Sequence, residues 1–222
     1  MLFISNQKDL KNCLSEESLK SSKLSLVPTM GNLHEGHLKL VEQAGKVSKF
    51  VCVSIFVNPL QFGPEEDFSS YPRTLSEDLS KLEKTNCSLV FAPKIDDMTL
   101  EIRKQKADPF LSSILCGRTR QNHFDGVVTI VNKLFELFQP KITFFGEKDY
   151  QQLMIIKEFV ERKKLKIAVE GVPTERELSG LAKSSRNNYL SRDEIKKAAL
   201  IHKTLINFCL LYTSDAADDR DS

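Results

Sequence analysis

Residues 50–57, Phe-Val-Cys-Val-Ser-Ile-Phe-Val, form a nearly unbroken apolar, β-rich run. Such a run offers no wet face, so it predicts a strand covered on both sides. Shorter apolar runs recur along the chain. Residues 24–27 read as a strand ending at Pro28, 88–91 as one stopped by Pro93, and 142–145 and 166–171 as two more. Amphipathic stretches lie between them. Leu38, Val41 and Ala44 mark a helix over 38–47, and Leu75, Leu79 and Leu82 another over 75–82. Val127, Ile130, Val131, Leu134 and Phe138 mark a third over 127–138, and Leu153, Ile156 and Val160 a fourth over 149–160. Strands alternating with helices predict an α/β fold: a doubly wound parallel sheet with any site outside the carboxyl ends of its strands. Residues 94–125 show no clear period. After Gly171 the chain turns polar and loop-like until a helix begins near Asp193. A domain boundary is expected near 171, with 1–171 carrying the sheet and 172–208 beginning a small, incomplete C-terminal domain.

Several function classes drop out early. Lys and Arg total 32 against 30 Asp and Glu, and the net charge of +2 is interleaved along the chain. No basic stripe points to nucleic acid, so solvated helix faces are the expected role of the charge. No apolar run reaches the roughly 18–20 residues of a membrane helix. The start, Met1 to Asp9, lacks the basic and apolar regions of a signal peptide. Cys13, Cys52, Cys87, Cys116 and Cys209 show no Cys-x-x-Cys pair, which argues against a zinc cage or a disulfide framework. A reducing, cytoplasmic setting is expected. The tail 209–222 resembles the translation of a transposon-type sequencing adaptor, with an acidic natural tail as the alternative. A clean genomic read encoding the same residues would exclude the adaptor origin.

Four constellations carry chemistry. The first is Pro28-Thr29-Met30-Gly31-Asn32-Leu33-His34-Glu35-Gly36-His37. A strand ends, a glycine turn follows, and two histidines stand three apart where a helix begins. Free N–H groups and the positive end of a helix dipole favour an anion there. The two imidazoles can add donors to phosphate oxygens. A purely structural pair, or a metal site, are the alternatives. The second runs from Asn58 through Gln61 to Tyr71, Arg73 and Asp78. Asn58 and Gln61 are uncharged amides suited to a hydroxyl or carboxylate, with turn chemistry around Pro59 as the alternative. Asp78 is a candidate to help hold a hydrated Mg²⁺ beside phosphates, or else a solvated helix carboxylate.

The third constellation is Gly146-Glu147-Lys148-Asp149, again a strand followed by a glycine turn and a helix start. Lys148 is a mobile cation placed to meet phosphate. Asp149 is expected to cap its own helix, with Gln152 three residues on, and this does not exclude ribose or nucleotide binding. The fourth is Lys183-Ser184-Ser185-Arg186, two hydroxyls and a guanidinium that suit a phosphate clamp; alone it reads equally well as a surface loop.

The first segment is similar to the HIGH signature of the adenylyl-transfer superfamily, whose sheet is Rossmann-like. Five segments in order resemble the pantothenate synthetase (pantoate–β-alanine ligase) family. They are VPTMGNLHEGH, SIFVNPLQFG with YPRTLSEDL, GRTRQNHFDGVVTIVNKLF, FGEKDYQQ and GLAKSSRNNYLS. The resemblance covers residues 1 to about 208. It implies ATP-dependent condensation of pantoate with β-alanine through a pantoyl adenylate, releasing pyrophosphate and AMP, with Mg²⁺ and as a homodimer. It also implies site residues. Met30, Gly31, Asn32, Leu33, His34, Glu35, Gly36 and His37 would line the ATP site, with His37 as proton donor. Gly146, Glu147, Lys148, Asp149 and Glu175 would bind ATP, and Lys183, Ser184, Ser185 and Arg186 would cover the phosphates. Gln61, with Asn58 and Tyr71 near it, would contact pantoate and β-alanine, and Gln152 pantoate. Arg120 and His123 would support the pocket.

This chain departs from the family where Glu175, Ser179 and Lys183 stand. Glu175 would need to point to solvent, and Lys183 would add a cation near phosphate. Two other readings stay open: another HIGH-type nucleotidylyltransferase, and a nucleotide-binding fragment impaired by truncation.

Overall fold

The computed structural model describes residues 1–15 and 23–218. Its sheet has six parallel strands in the order β1-β4-β3-β2-β5-β6. These are β1 (Leu2–Ile4), β2 (Leu24–Thr29), β3 (Phe50–Ile55), β4 (Cys87–Phe91), β5 (Ile142–Gly146) and β6 (Ala168–Val172). The helices are α1 (Gln7–Leu14), α2 (Glu35–Val47), α3 (Leu75–Leu82), α4 (Ile95–Thr99), α5 (Cys116–Thr119), α6 (His123–Phe138), α7 (Tyr150–Arg162) and α8 (Arg192–Asp218). α8 runs through position 209 without a break.

β3 lies between β2 and β4, and Val51, Cys52 and Val53 are completely buried. The strand is apolar throughout because both of its faces are covered. Cys52 points into a core with Leu10 of α1, Leu134 and Phe138 of α6, and Leu153 and Ile156 of α7. Val51 and Val53, one residue away on either side, point into a second core with Leu40, Val41 and Ala44 of α2 and Leu82 of α3. The alternation of strand side chains thus divides one apolar run between two layers. A fully buried aromatic such as Phe91 contributes about 1.5–3 kcal/mol by leaving water.

The strand order sets the place of the site. From β2 the chain steps to β3 and β4 on one side, while β5 and β6 lie on the other. The order reverses between β2 and β5, which pair at Ser25–Ile142 and Leu26–Thr143. At such a reversal the following connections leave toward opposite faces, opening a crevice beyond the carboxyl ends. The segments after Thr29 and after Gly146 therefore emerge side by side.

The structure adds what periodicity did not show. β1 and α1 precede the first predicted strand; β1 has three residues at the sheet edge, too few to show a period. α6 starts at His123, ahead of its apolar stripe, and β6 ends at Val172. The aperiodic segment 94–125 is tied down by side chains: Thr129 accepts the Gln105 N–H and Asp125 the Ala107 N–H, both at 2.9 Å.

α6 meets the 3-10 turn Pro59–Gln61 without side-chain clearance. A Cβ on Gly126 would stand 2.1 Å from the Leu60 carbonyl oxygen. Gly126→Ala should gain about 1 kcal/mol of helix propensity but lose more to the clash, with overpacking costing about 1–3 kcal/mol and a displaced backbone adding to it. A net loss of stability in urea unfolding is expected; an unchanged or higher midpoint would contradict this packing.

Candidate active site

The crevice at the β2–β5 junction is a cavity of about 1300 Å³, counting its open mouth. Its apolar base comes from α6, through Val127, Ile130, Val131 and Leu134, with Phe56 and Phe145 from the strand ends. Its polar rim brings together Met30, His34, Gly36, His37, Asn58, Gln61, Tyr71, Gly146, Lys148, Asp149, Gln152, Glu175, Lys183, Ser184, Ser185 and Arg186. Residues from all four predicted constellations thus border one space. Gly31, Asn32, Leu33, Glu35 and Glu147 do not line it.

The histidines are held by backbone donors. His34 caps α2, and its Nδ1 accepts the Gly36 N–H at 3.1 Å. His37 Nδ1 accepts the His34 N–H at 3.3 Å. A peptide N–H can only donate, so both Nδ1 atoms are unprotonated. The proton of each neutral ring is therefore on Nε2. The rings sit 4.1 Å apart. Loss of hydration, then the charges of His34, Lys148 and Lys81, push the His37 pKa down to about 3. Burial and Lys148 lower His34 as well. The pair is thus two neutral Nε2–H donors at neutral pH.

The turn before them overturns one expectation. Its N–H groups are not free for an anion: the buried Asp78 carboxylate accepts those of Asn32 and Leu33 at 2.9 and 2.7 Å. Asp78 was expected to help hold Mg²⁺. Its oxygens instead serve the chain's own backbone, and among the described residues no group of three or more His, Cys, Asp or Glu could hold a metal ion. Asp78, with both oxygens on backbone N–H groups, does not fit the role of Mg²⁺ ligand.

Each rim cation already has an acidic partner. Lys148 Nζ lies 2.9 and 3.1 Å from the Asp149 oxygens. Asp149 thus starts α7 without the expected side-chain cap. Lys183 reaches Glu35 and Glu177, each at 3.1 Å. Arg186 holds Asp67 with two bonds, 3.0 and 2.8 Å, and lies over the Tyr71 ring. The Arg186 side chain stays 48% exposed, so this pair is worth at most about 1 kcal/mol and can exchange for a stronger anion.

The amides divide their work. Asn58, only 3% exposed, donates to Gln61 Oε1 at 3.0 Å and to the Gly126 carbonyl at 3.1 Å, and its Oδ1 accepts the Leu60 N–H. It borders the cavity but spends its polar atoms holding Gln61, so it is a positioning residue where direct contact was expected. His123 donates from Nδ1 to the Gln61 carbonyl at 2.7 Å, while its Nε2 accepts from Arg120 at 3.0 Å. Arg120 also grips Glu66 with two bonds of 2.7 Å. Arg120 and His123 support the pocket from outside it. Glu175 borders the cavity and its carbonyl accepts the Lys183 N–H at 2.9 Å. Asp67, Glu66 and Lys81 were not singled out in the sequence. Asp67 and Glu66 sit in a Gly-Pro loop before Tyr71, and Lys81 stands one turn from Asp78, which are the signals that could have found them.

A family described as Pantoate-beta-alanine ligase matches residues 2–218. The chain belongs to the pantoate–β-alanine ligase family. Pantothenate synthetase of Thermoanaerobacter sp. (strain X514) is 47% identical over 212 residues, covering 92% of this chain and 73% of that relative. Pantothenate synthetase of Idiomarina loihiensis is 50% identical over 189 residues, covering 84% and 67%. Among solved structures, pantothenate synthetase from Thermus thermophilus superposes with a TM-score of 0.88 at 43% identity, covering 93% of this chain and 74% of that one. Pantoate-beta-alanine ligase from Francisella tularensis, complexed with beta-gamma ATP and beta-alanine, gives 0.86 at 35%, covering 91% and 78%.

The neutral imidazoles make a prediction about acid. Both folded pKa values lie below the unfolded value of 6.5, so the contribution of the pair to stability is fully present above 6.5 and is lost as pH falls below it, for His37 down to about 3. His37 alone should cost about 1.4 kcal/mol per pH unit below 6.5. Urea unfolding of this pantoate–β-alanine ligase family member between pH 7 and pH 5 should show that slope, and His37→Gln should flatten it. An equal slope in both proteins would contradict the assignment.

Proposed function

We propose that this chain joins pantoate to β-alanine at the expense of ATP, through a pantoyl adenylate. One observation carries the reading: the two Nε2–H imidazoles, Lys148 and the 184–186 segment border one cavity at the reversal point of a parallel sheet. Membership of the family and the ATP- and β-alanine-complexed relative support it.

In the first step the pantoate carboxylate attacks the α-phosphorus. A P–O bond forms, and the bond to pyrophosphate breaks. A carboxylate with a pKa near 4 is ionised at neutral pH, so this step needs no base. It needs alignment and donors for the charge that spreads over the phosphate oxygens. His34 and His37 supply neutral N–H donors, and Lys148 and Arg186 supply cations at the same cavity. His37 acts here as a hydrogen-bond donor and not as an imidazolium acid, because its environment keeps the ring neutral. The phosphates, carrying more charge than one carboxylate, draw Lys148 from Asp149 and Arg186 from Asp67. Ser184, Ser185 and Lys183 close over them.

Gln61 and Gln152 hold the pantoate hydroxyls and carboxylate beside the apolar base from α6, and Tyr71 forms the neighbouring wall. In the second step the β-alanine ammonium gives one proton to solvent water, and the free amine attacks the acyl carbon. The C–O bond to AMP breaks, AMP leaves with the bonding electron pair, and the nitrogen gives its second proton to water as the amide forms. Mg²⁺ enters this reading as part of the nucleotide's own counter-ion shell. A cytoplasmic homodimer completes it; among the described residues no helix is long and apolar enough to cross a membrane.

Pyrophosphate release should require ATP and pantoate together, and AMP release should require β-alanine as well. His37→Ala should slow pyrophosphate release by about 10²-fold, as the loss of one transition-state donor does. The wild-type rate should not fall between pH 6.5 and 8, as an imidazolium requirement would demand. Pyrophosphate release without pantoate, or an unaffected His37→Ala variant, would sink the reading.

A further inference from the structure

One face of α3 grips the turn between β2 and α2. Asp78 is fully buried, with one carboxylate oxygen on the Asn32 N–H at 2.9 Å and the other on the Leu33 N–H at 2.7 Å. The Thr74 hydroxyl donates to the first of these oxygens at 3.3 Å. Three residues on, the Lys81 ammonium donates to the Leu33 carbonyl at 2.7 Å. Positions three apart share a helix face, so one helix holds both polar groups of Leu33.

The turn needs such a grip. Gly31 and Asn32 are both left-handed, at φ +82° and +48°. Glycine adopts this freely, but Asn32 carries a Cβ and does so against steric resistance. The turn also bears directly on the cavity. The next residue is His34, whose peptide N–H fixes the Nδ1 of His37 and whose ring caps α2. The Asn32 carbonyl accepts the Ser185 hydroxyl at 3.1 Å. A displaced Leu33 would therefore move the His34 peptide, rotate both imidazoles and shift the landing point of the 184–186 segment.

We propose that Asp78 and Lys81 are positioning residues: together they clamp the 31–33 turn from beneath and so aim the His34 and His37 Nε2–H groups into the cavity. Neither lines that cavity. Both act through backbone, and Asp78 does so as a fixed carboxylate and not as a metal ligand. The proposal rests on the cavity being the site of adenylate formation.

The test uses the full chain with Asp78→Asn, Lys81→Met and Lys81→Arg. Asparagine keeps the shape but turns one acceptor into a donor facing an N–H. Methionine keeps the apolar stem and removes the bond to Leu33, and arginine restores a donor. Pyrophosphate release should fall about ten- to hundredfold in Asp78→Asn and Lys81→Met, as small misalignments do, and largely recover in Lys81→Arg. Amide hydrogen exchange at Asn32, Leu33 and His34 should quicken while Val51 and Val53 of β3 stay protected. Imidazole ¹⁵N spectra should show His37 losing its single Nε2–H tautomer. The Mg²⁺ half-saturation should not change.

Wild-type exchange at 32–34 in Lys81→Met, wild-type turnover in that variant, or a raised Mg²⁺ half-saturation in Asp78→Asn would each overturn the clamp. Should Asp78→Asn not fold, Lys81→Met, at a partly exposed site, decides the matter. If the wild-type chain released no pyrophosphate with ATP and pantoate, the functional reading would fail, while the exchange and ¹⁵N measurements would still decide the clamp.

Discussion

A buried carboxylate inside the turn after β2 determines what kind of site this protein can have. Asp78 takes the N–H groups of Asn32 and Leu33, and the His34 ring and carbonyl take those of Gly36 and His37, donors that a strand–turn–helix junction ordinarily offers to a phosphate. The donors facing the cavity must then be side chains. His34 and His37 take that place, each fixed by a backbone N–H on Nδ1. Desolvation and nearby cations keep them uncharged, so each can donate its Nε2–H to an anion as a neutral ring.

Charge at the rim is arranged differently. Lys148, Lys183 and Arg186 each hold a carboxylate close to water, and such pairs are weak. Their net field is small, and in the proposed reaction an anion with more charge and more acceptor atoms would release each of them. The protein thus combines neutral donors that are fixed with cations that are exchangeable. The fixed set belongs to the sheet and its first helices, and the exchangeable set to loops.

Gln61 shows how far the support extends. Its side chain is held by Asn58, its carbonyl by His123, and the His123 ring by Arg120, which is itself anchored on Glu66. The buried Asn58 and His123 thereby find partners for their polar groups, which would be costly to leave unpaired. Gly126 belongs to the same assembly, because only a residue without Cβ lets α6 approach the Leu60 carbonyl so closely.

Much of this was legible in the residues. The parallel α/β fold followed from apolar runs covered on both faces, and the histidines, Lys148 and 184–186 were visible because strand, glycine turn and helix start are neighbours in the chain. These are local properties: backbone preference, periodicity and short spacing act over a few residues, so the sequence alone determined them. What tertiary structure decided acts across distance. It set β2 beside β5, placed Asp67 on Arg186 across 119 residues and Asp78 beneath Asn32 across 46, and left β1 and the aperiodic 94–125 segment to be held by partners elsewhere. A carboxylate becomes a metal ligand, a helix cap or a backbone clamp according to which donors packing brings to it, and no spacing along the chain records that.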